Sequence, residues 1–346
     1  MGPDRIYLDH AATTPLVPAA RDAMARALEM WANPSSPHSE GRAARAALEQ
    51  ARARVATALD WDGEILFTSG ASEAIALALK GFDAVASAVE HDAVLAAVGD
   101  GPHIGVDADG MVQLDAIAKG RRYAIQQVNN ETGMIQPLAE LGQIIREGGG
   151  LLVADCSQGA GKLPLPDADL IILSAHKLGG PPGLGALLLR DLSLLHPSGG
   201  QEKGYRRGTE NLPAILGLAA ALEAGFGWMD AVQQLRAKLD EAILAAGGQV
   251  VAATAPRLGT IGSYRMPGIS ASSQLISFDL AGIAVSAGSA CSSGTLKTSH
   301  VLGAMGWDAK AASEVVRVSF GRQTSEADID RFVAAWVAIR NRALTA

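Results

Sequence analysis

The chain has 346 residues, 48% of them hydrophobic, enough for a sizeable core in a large globular protein of two domains. No run approaches the roughly 20 apolar residues that cross a bilayer, the start lacks a signal-peptide layout, and a net charge of −7 argues against nonspecific binding to nucleic acid or anionic membranes, so a cytoplasmic protein is expected. The two cysteines, Cys156 and Cys291, lie far apart and show neither metal-ligand spacing nor a disulfide framework, so no metal site is expected and each is read as a free thiol.

In chain order, Arg42, Arg45, Arg52 and Arg54 recur along one helical pattern, read as a solvated face. From about residue 60 to 190, short apolar runs alternate with helical patterns, the rhythm of an open α/β sheet with helices on its faces. Strands are expected at 64–68, 84–88, 122–128, 151–155, 169–174 and 185–190, and helices after Ser72, His91 and Pro137. An Ala- and Leu-rich helical stretch follows over 211–246, then a mixed segment with strand-like pieces and a closing helix over 326–342. This C-terminal part is read as a second, smaller domain packed against the first, with the chemistry on loops at the strand ends.

One apolar strand runs into Ser174-Ala175-His176-Lys177 and then a Gly- and Pro-rich turn. Most lysines in such places are simply solvated; the neighbouring run 151–155 changes the reading, because it ends in Asp155, followed by Cys156-Ser157-Gln158. If the two strands are adjacent and parallel, Asp155 comes near Lys177. A carboxylate there suits the pyridinium nitrogen of pyridoxal 5′-phosphate (PLP), with Lys177 as the Schiff-base amine; the plain alternative is an acid capping a turn. Thr68-Ser69-Gly70-Ala71-Ser72-Glu73 ends a strand and opens a helix, a cradle for the phosphate, though many such loops only satisfy a helix N-terminus. An amide of Asn129-Asn130 could bond the ring hydroxyl, and the imidazole of His91 could stack on the ring, against the commoner turn and structural roles. Near the end, tiny residues surround Cys291 in Ser286-Ala287-Gly288-Ser289-Ala290-Cys291-Ser292-Ser293-Gly294, with no bulky apolar flank, which favours a reactive thiol over a buried inert one. Arg317, alternating with Val316 and Val318, could hold a substrate carboxylate bidentately, against a surface ion pair.

With these residues in view, the chain resembles the cysteine desulfurases of class V among the fold type I PLP enzymes, in the branch used for iron-sulfur cluster and nitrogenase maturation. The resemblance runs nearly the whole length through Tyr7-Leu8-Asp9-His10-Ala11-Ala12-Thr13-Thr14-Pro15, Asn33-Pro34-Ser35-Ser36, Phe67 to Glu73, Glu90-His91, Val128-Asn129-Asn130-Glu131-Thr132-Gly133, Asp155 to Gln158, Ser174 to Lys177, Gly199 to Asn211, Gly288 to Cys291 and Arg317 to Arg322. It implies a large PLP-binding domain over 14–228 with a mostly parallel seven-stranded sheet, and a smaller α+β domain from 1–13 and 229–346 carrying the cysteine loop.

Residue by residue, the resemblance makes Lys177 the Schiff-base lysine, Asp155 the partner of the pyridine nitrogen and His91 the stacked ring. Asn130 and Gln158 would contact the ring oxygen. Ala71, Ser72, Ser174 and His176 would hold the phosphate, with Thr209 reaching in from a second subunit, which implies a homodimer. Arg317, helped by Asn33 and Asn130, would bind the carboxylate of L-cysteine, and Cys291 would take its sulfur as a persulfide, releasing alanine and passing the sulfur to an acceptor protein. A related class V enzyme, a selenocysteine lyase or small-amino-acid aminotransferase that does not need Cys291, is the alternative. Ala175, Pro182 and Ser198 depart from the commonest pattern without removing any of these groups, and Cys156, where alanine is common, is read as a small packed side chain. The span from Asn211 to Cys291 is shorter than in typical members, which predicts a small domain reduced in strands.

Overall fold

A computed structural model of the protein describes residues 5–113, 120–288 and 298–344. It opens with strand β1 (Ile6–Tyr7) and helices α1 (Pro18–Ala27) and α2 (Ser39–Leu59), then β2 (Glu64–Thr68), α3 (Ala71–Leu79), β3 (Ala84–Ala86), α4 (Asp92–Val98) and β4 (Arg122–Gln126). Next come α5 (Leu138–Glu147), β5 (Leu151–Asp155), β6 (Leu170–Ser174), β7 (Gly185–Leu189), α6 (Leu212–Glu223) and α7 (Met229–Ala245). The chain closes with β8 (Gln249–Val250), β9 (Ile261–Arg265), α8 (Ala271–Leu280), β10 (Ile283–Ala284), α9 (His300–Ala304), α10 (Ala309–Ala312), β11 (Val315–Ser319) and α11 (Glu326–Leu344). No helix among the described residues is long and apolar enough to cross a membrane.

The main sheet runs β2-β7-β6-β5-β4-β3, parallel from β6 to β3, with β7 antiparallel to both its neighbours. Every residue of β4, β6 and β7 is buried, as expected of strands covered on both faces. All six strands read from the sequence are present, each within two residues of its expected ends. Among the described residues the sheet stops at six; where the resemblance implies a seventh, there is only a parallel bridge from Ser87 to Ile104 at the β3 edge. One apolar core lies on the face covered by α1, α2, α5 and α6, and a second under α3 and α4.

The helical stretch read over 211–246 is two helices. After Glu223 the chain leaves the helix through Gly225 at φ 71°, and the Arg322 guanidinium donates to the free carbonyls of Ala224 and Gly225, so α7 starts on a new axis at Met229. Helices α7, α8 and α11 enclose a separate core with the antiparallel sheet β11-β9-β8, in which Phe278, Phe332 and Trp336 are fully buried and the two phenylalanine rings stack at 4.8 Å. The N-terminal strand belongs here too, since β1 pairs in parallel with β10. The short span before Cys291 thus still carries β8, β9 and β10.

The arginines of α2 correct the solvated-face reading. Arg52 is buried, and its Nη1 and Nη2 donate to the two oxygens of Glu202 at 2.8 and 3.0 Å; Glu202 also accepts the Phe67 N–H at 2.8 Å. Arg54 pairs with Glu223 at 2.6 Å and Arg45 with Glu49 at 3.0 Å. Period alone located the helix but said nothing of carboxylates arriving from 150 residues away. Arg52→Met strands a buried carboxylate and should cost about 3–5 kcal/mol in urea unfolding, against about 0–1 for Arg54→Met at the surface.

Candidate active site

The site forms at the carboxyl ends of β5 and β6, where an open parallel sheet leaves its loops free to bind a ligand. Asp155 ends β5 in register with Ile172 of β6, and β6 continues into a single 3₁₀ turn, Ala175–Lys177. The Asp155 carboxylate accepts the Ser157 N–H at 2.8 Å, which fixes its direction. Lys177 Nζ donates to the Ala11 carbonyl at 3.0 Å, and Gln158 Nε2 donates to the same oxygen at 2.9 Å, so the N-terminal segment crosses the site directly over both strand ends. Burial, and then the nearby Arg317 charge, bring the Lys177 ammonium down to about 8, with Asp155 and Asp9 pulling the other way. His91 caps α4: its Nδ1 accepts the Ala93 N–H at 3.1 Å, which leaves the proton of the neutral ring on Nε2. Burial and then Lys177 hold His91 below its ordinary value, and act likewise on His176, whose Nδ1 meets Thr13 Oγ1 at 3.1 Å.

The start of α3 is the segment read from the sequence as a phosphate cradle. Gly70 precedes it at φ 154° and ψ 174°, a conformation that only glycine takes at ease, and Ala71 and Ser72 occupy the first turn, whose N–H groups have no partner inside the helix. Glu73 folds back, accepting the Ser69 N–H and pairing with Arg206 at 3.1 Å. Ser174 is buried at the end of β6.

Arg317 lies on β11 with a 7% exposed side chain; its Nη1 donates to the Asn130 carbonyl at 3.0 Å and its Nη2 to Asp9 Oδ1 at 2.9 Å. Asn130 therefore touches Arg317 through its backbone. The loop around it is pressed onto β9: Gly133 takes φ 78°, and a β-carbon there would stand 2.5 Å from the Ile261 carbonyl. Within the same loop Glu131 is buried, raised above the usual carboxylate range first by that burial, and accepts the Ser299 hydroxyl at 2.6 Å. Gly288 packs on the same carboxylate, with no room for a side chain. Gly288 and Ser299 flank the segment bearing Cys291, which itself lies outside the described residues. Thr209 and Asn33 are exposed, the Asn33 side chain accepts the Ser35 N–H in its own turn, and among the described residues of one chain neither is bonded to the cluster around Lys177.

Several groups went unread in the sequence. Ala11 contributes only a carbonyl, and Asp9 an acid after a two-residue strand. Half-buried Lys162 is lowered to about 7 by burial and then by Lys177, and His10 to about 4 by burial and then by Lys162. A signal for Asp9 and His10 was present, two ionisable residues where a short apolar strand stops. Cys156 is buried, and its thiol is pushed well up, as expected of a packed side chain.

The residues fit PLP. Lys177 offers a half-buried amine bonded to a carbonyl, Asp155 a fixed carboxylate on the adjacent strand, and Gln158 Oε1 is a buried acceptor with no partner among the described residues. A mixed, largely parallel sheet with such a lysine and acid at its strand ends defines a fold type I PLP-dependent enzyme. The aminotransferase class-V family matches residues 6–332, and the chain belongs to it. It is similar to proteins named cysteine desulfurase from Cereibacter sphaeroides, 38% identical over 95% of this chain and 94% of that one, and from Bradyrhizobium diazoefficiens, 40% identical over 95% and 93%. Among solved structures, a NifS-like protein from Rickettsia africae superposes with a TM-score of 0.89 at 30% identity, covering 97% of this chain and 99% of its own. SspA in complex with cysteine does so with 0.80 at 30%, covering 91% and 98%.

Because the folded chain holds the Lys177 proton less tightly than the unfolded chain does, that proton disfavours folding below about pH 8, and stability rises as the pH climbs from there toward 10.5. Lys177→Met should therefore stabilise the cofactor-free protein at pH 7, by up to about 3 kcal/mol, with the gain fading toward pH 10.5; paired urea titrations across that range measure it.

Proposed function

We propose that this protein is a cysteine desulfurase that moves the sulfur of L-cysteine onto Cys291 and releases L-alanine. The observation that carries the sulfur-transfer reading is the placement of Gly288 and Ser299, the described flanks of the Cys291 segment, on the Glu131 carboxyl, one residue from the Asn130 carbonyl that holds Arg317. Both described flanks of the Cys291 segment thus lie beside the group suited to a substrate carboxylate.

PLP bound at Lys177 would supply an electron sink for charge left on the substrate α-carbon. The remaining roles belong to the chain. Asp155 would face the cofactor nitrogen, Ala71, Ser72, Ser174 and His176 would hold the phosphate, and Gln158 and the Asn130 amide would meet the ring oxygen. Thr209, exposed on its own chain, reaches the site of a second copy, making the enzyme a homodimer. Arg317 receives the substrate carboxylate, with Asn33 and Asn130 assisting. Lys177, whose amine burial holds below the usual lysine range, is the base suited to take the α-proton. His91, held below its ordinary value and carrying Nε2–H, would stack on the ring and exchange a proton with the thiols.

The Cys291 thiolate then attacks the sulfur of the substrate. An S–S bond forms, the carbon–sulfur bond breaks, its electron pair stays with the three-carbon fragment, and that fragment takes a proton at the β-carbon, regains at the α-carbon the proton that Lys177 removed, and leaves as alanine. The persulfide is the form handed to a sulfur-acceptor protein.

Alanine and sulfide release from L-cysteine, measured with a reductant for wild type and Cys291→Ala, tests the reading. The variant should keep the visible cofactor band and lose about a hundredfold or more in rate. Full activity in Cys291→Ala would transfer the chain to the lyase or aminotransferase class, and mass spectrometry after cysteine treatment should find one extra sulfur on Cys291.

A further inference from the structure

Arg317 and Lys177 come from different layers of the molecule, a strand of the second core and a turn after β6, yet both are held by one three-residue segment. Its backbone is fixed to β11: Asp9 bridges in parallel to Ser319, the Leu8 carbonyl accepts the Ser319 N–H at 2.8 Å, and Ser319 Oγ accepts the Ala11 N–H at 2.8 Å. From this mount the Asp9 carboxylate accepts Arg317 Nη2 at 2.9 Å, and two residues on, the Ala11 carbonyl accepts Lys177 Nζ at 3.0 Å. We infer that residues 9–11 act as a ruler between the guanidinium and the amine, with Asp9 the positioning residue that orients Arg317 for the substrate carboxylate. The inference rests on the reading of Arg317 as the carboxylate-binding group.

A guanidinium has five N–H donors. The Asn130 carbonyl and Asp9 take one each from the two Nη atoms, while Nε is buried without a partner among the described residues. Among the described residues Asp9 is the carboxylate paired with Arg317, and without its oxygen Nη2 loses its acceptor and the guanidinium plane is free to turn. With it, the plane of the guanidinium is set before any ligand arrives, which lowers the ordering cost of binding. In an α-amino acid the carboxylate and the reacting carbon are neighbours, so the separation of Arg317 from Lys177 decides whether both can be engaged at once.

The test uses the holoenzyme. L-Alanine, which carries the carboxylate but no sulfur, is titrated against the visible cofactor band, with ethylamine as the matching probe without a carboxylate. For Asp9→Ala, the alanine Kd and the cysteine KM should both rise about tenfold, with kcat within about threefold and the ethylamine Kd unchanged. Asp9→Asn keeps an oxygen for Nη2 and should restore the alanine Kd to within about threefold of wild type. Asp9→Ser replaces the alanine variant should that one fail to fold. Unaltered alanine binding in Asp9→Ala, an equal loss for ethylamine, or an Asn variant as weak as the Ala variant would each overturn the ruler. Arg317→Ala separates the two readings: weakened alanine binding there beside intact binding in Asp9→Ala sinks only the role of Asp9, whereas undiminished binding in Arg317→Ala removes the carboxylate assignment itself.

Discussion

A half-buried primary amine, held among the described residues by a backbone carbonyl alone, is the constraint around which the site is arranged. Desolvation makes the charged form of Lys177 expensive, and every cation nearby raises that cost. The effect is mutual: Lys177 helps depress His91, His176 and Lys162, while Asp155 and Asp9 work against the trend. The enclosure therefore holds more basic groups than it can comfortably keep protonated. Such a place suits a ligand bearing anions, and both PLP and an amino acid bring them.

The two cores make this possible by meeting along the Asn129 to Gly133 loop. The main sheet delivers Asp155 and Lys177, and the smaller sheet delivers Arg317; neither surface contains a complete site. The loop between them is bonded into both. Asn129 Oδ1 accepts the N–H groups of Glu131 and Thr132, shaping the turn from within, while Ser263 Oγ donates to the Glu131 carbonyl and the Leu258 N–H reaches the Gly133 carbonyl. A displacement of either layer is felt at the Asn130 carbonyl, and hence at Arg317.

Much of the main sheet was legible because its strands are short apolar runs separated by helical periods, and burial on both faces writes that pattern into the residues themselves. The adjacency of Asp155 and Lys177 followed from the same reasoning, since two consecutive parallel strands place their ends side by side. Other features carry no local signal. The Ala11 contribution is a backbone oxygen, and no side chain announces it. Arg52 looks like any arginine on an amphipathic helix until Glu202 is folded against it, and the break between α6 and α7 is hidden in a stretch whose alanines and leucines favour helix throughout. The Asp9 contact with Arg317 joins residues 308 apart, a distance over which composition and period are silent.

The Glu202 carboxylate joins three pieces of the chain: helix α2 through Arg52, strand β2 through the N–H of Phe67, and its own segment, which continues through Arg206 to Thr209. Arg206 in turn grips Glu73, one residue past Ser72 in the cradle. The anion cradle and the segment bearing Thr209 are therefore a single mechanical unit. If Thr209 enters the site of a second copy as proposed, occupancy of the cradle and that engagement become linked equilibria, in which whatever steadies one end strengthens the other by the same free energy. Cofactor retention and subunit association would then be two readings of one quantity.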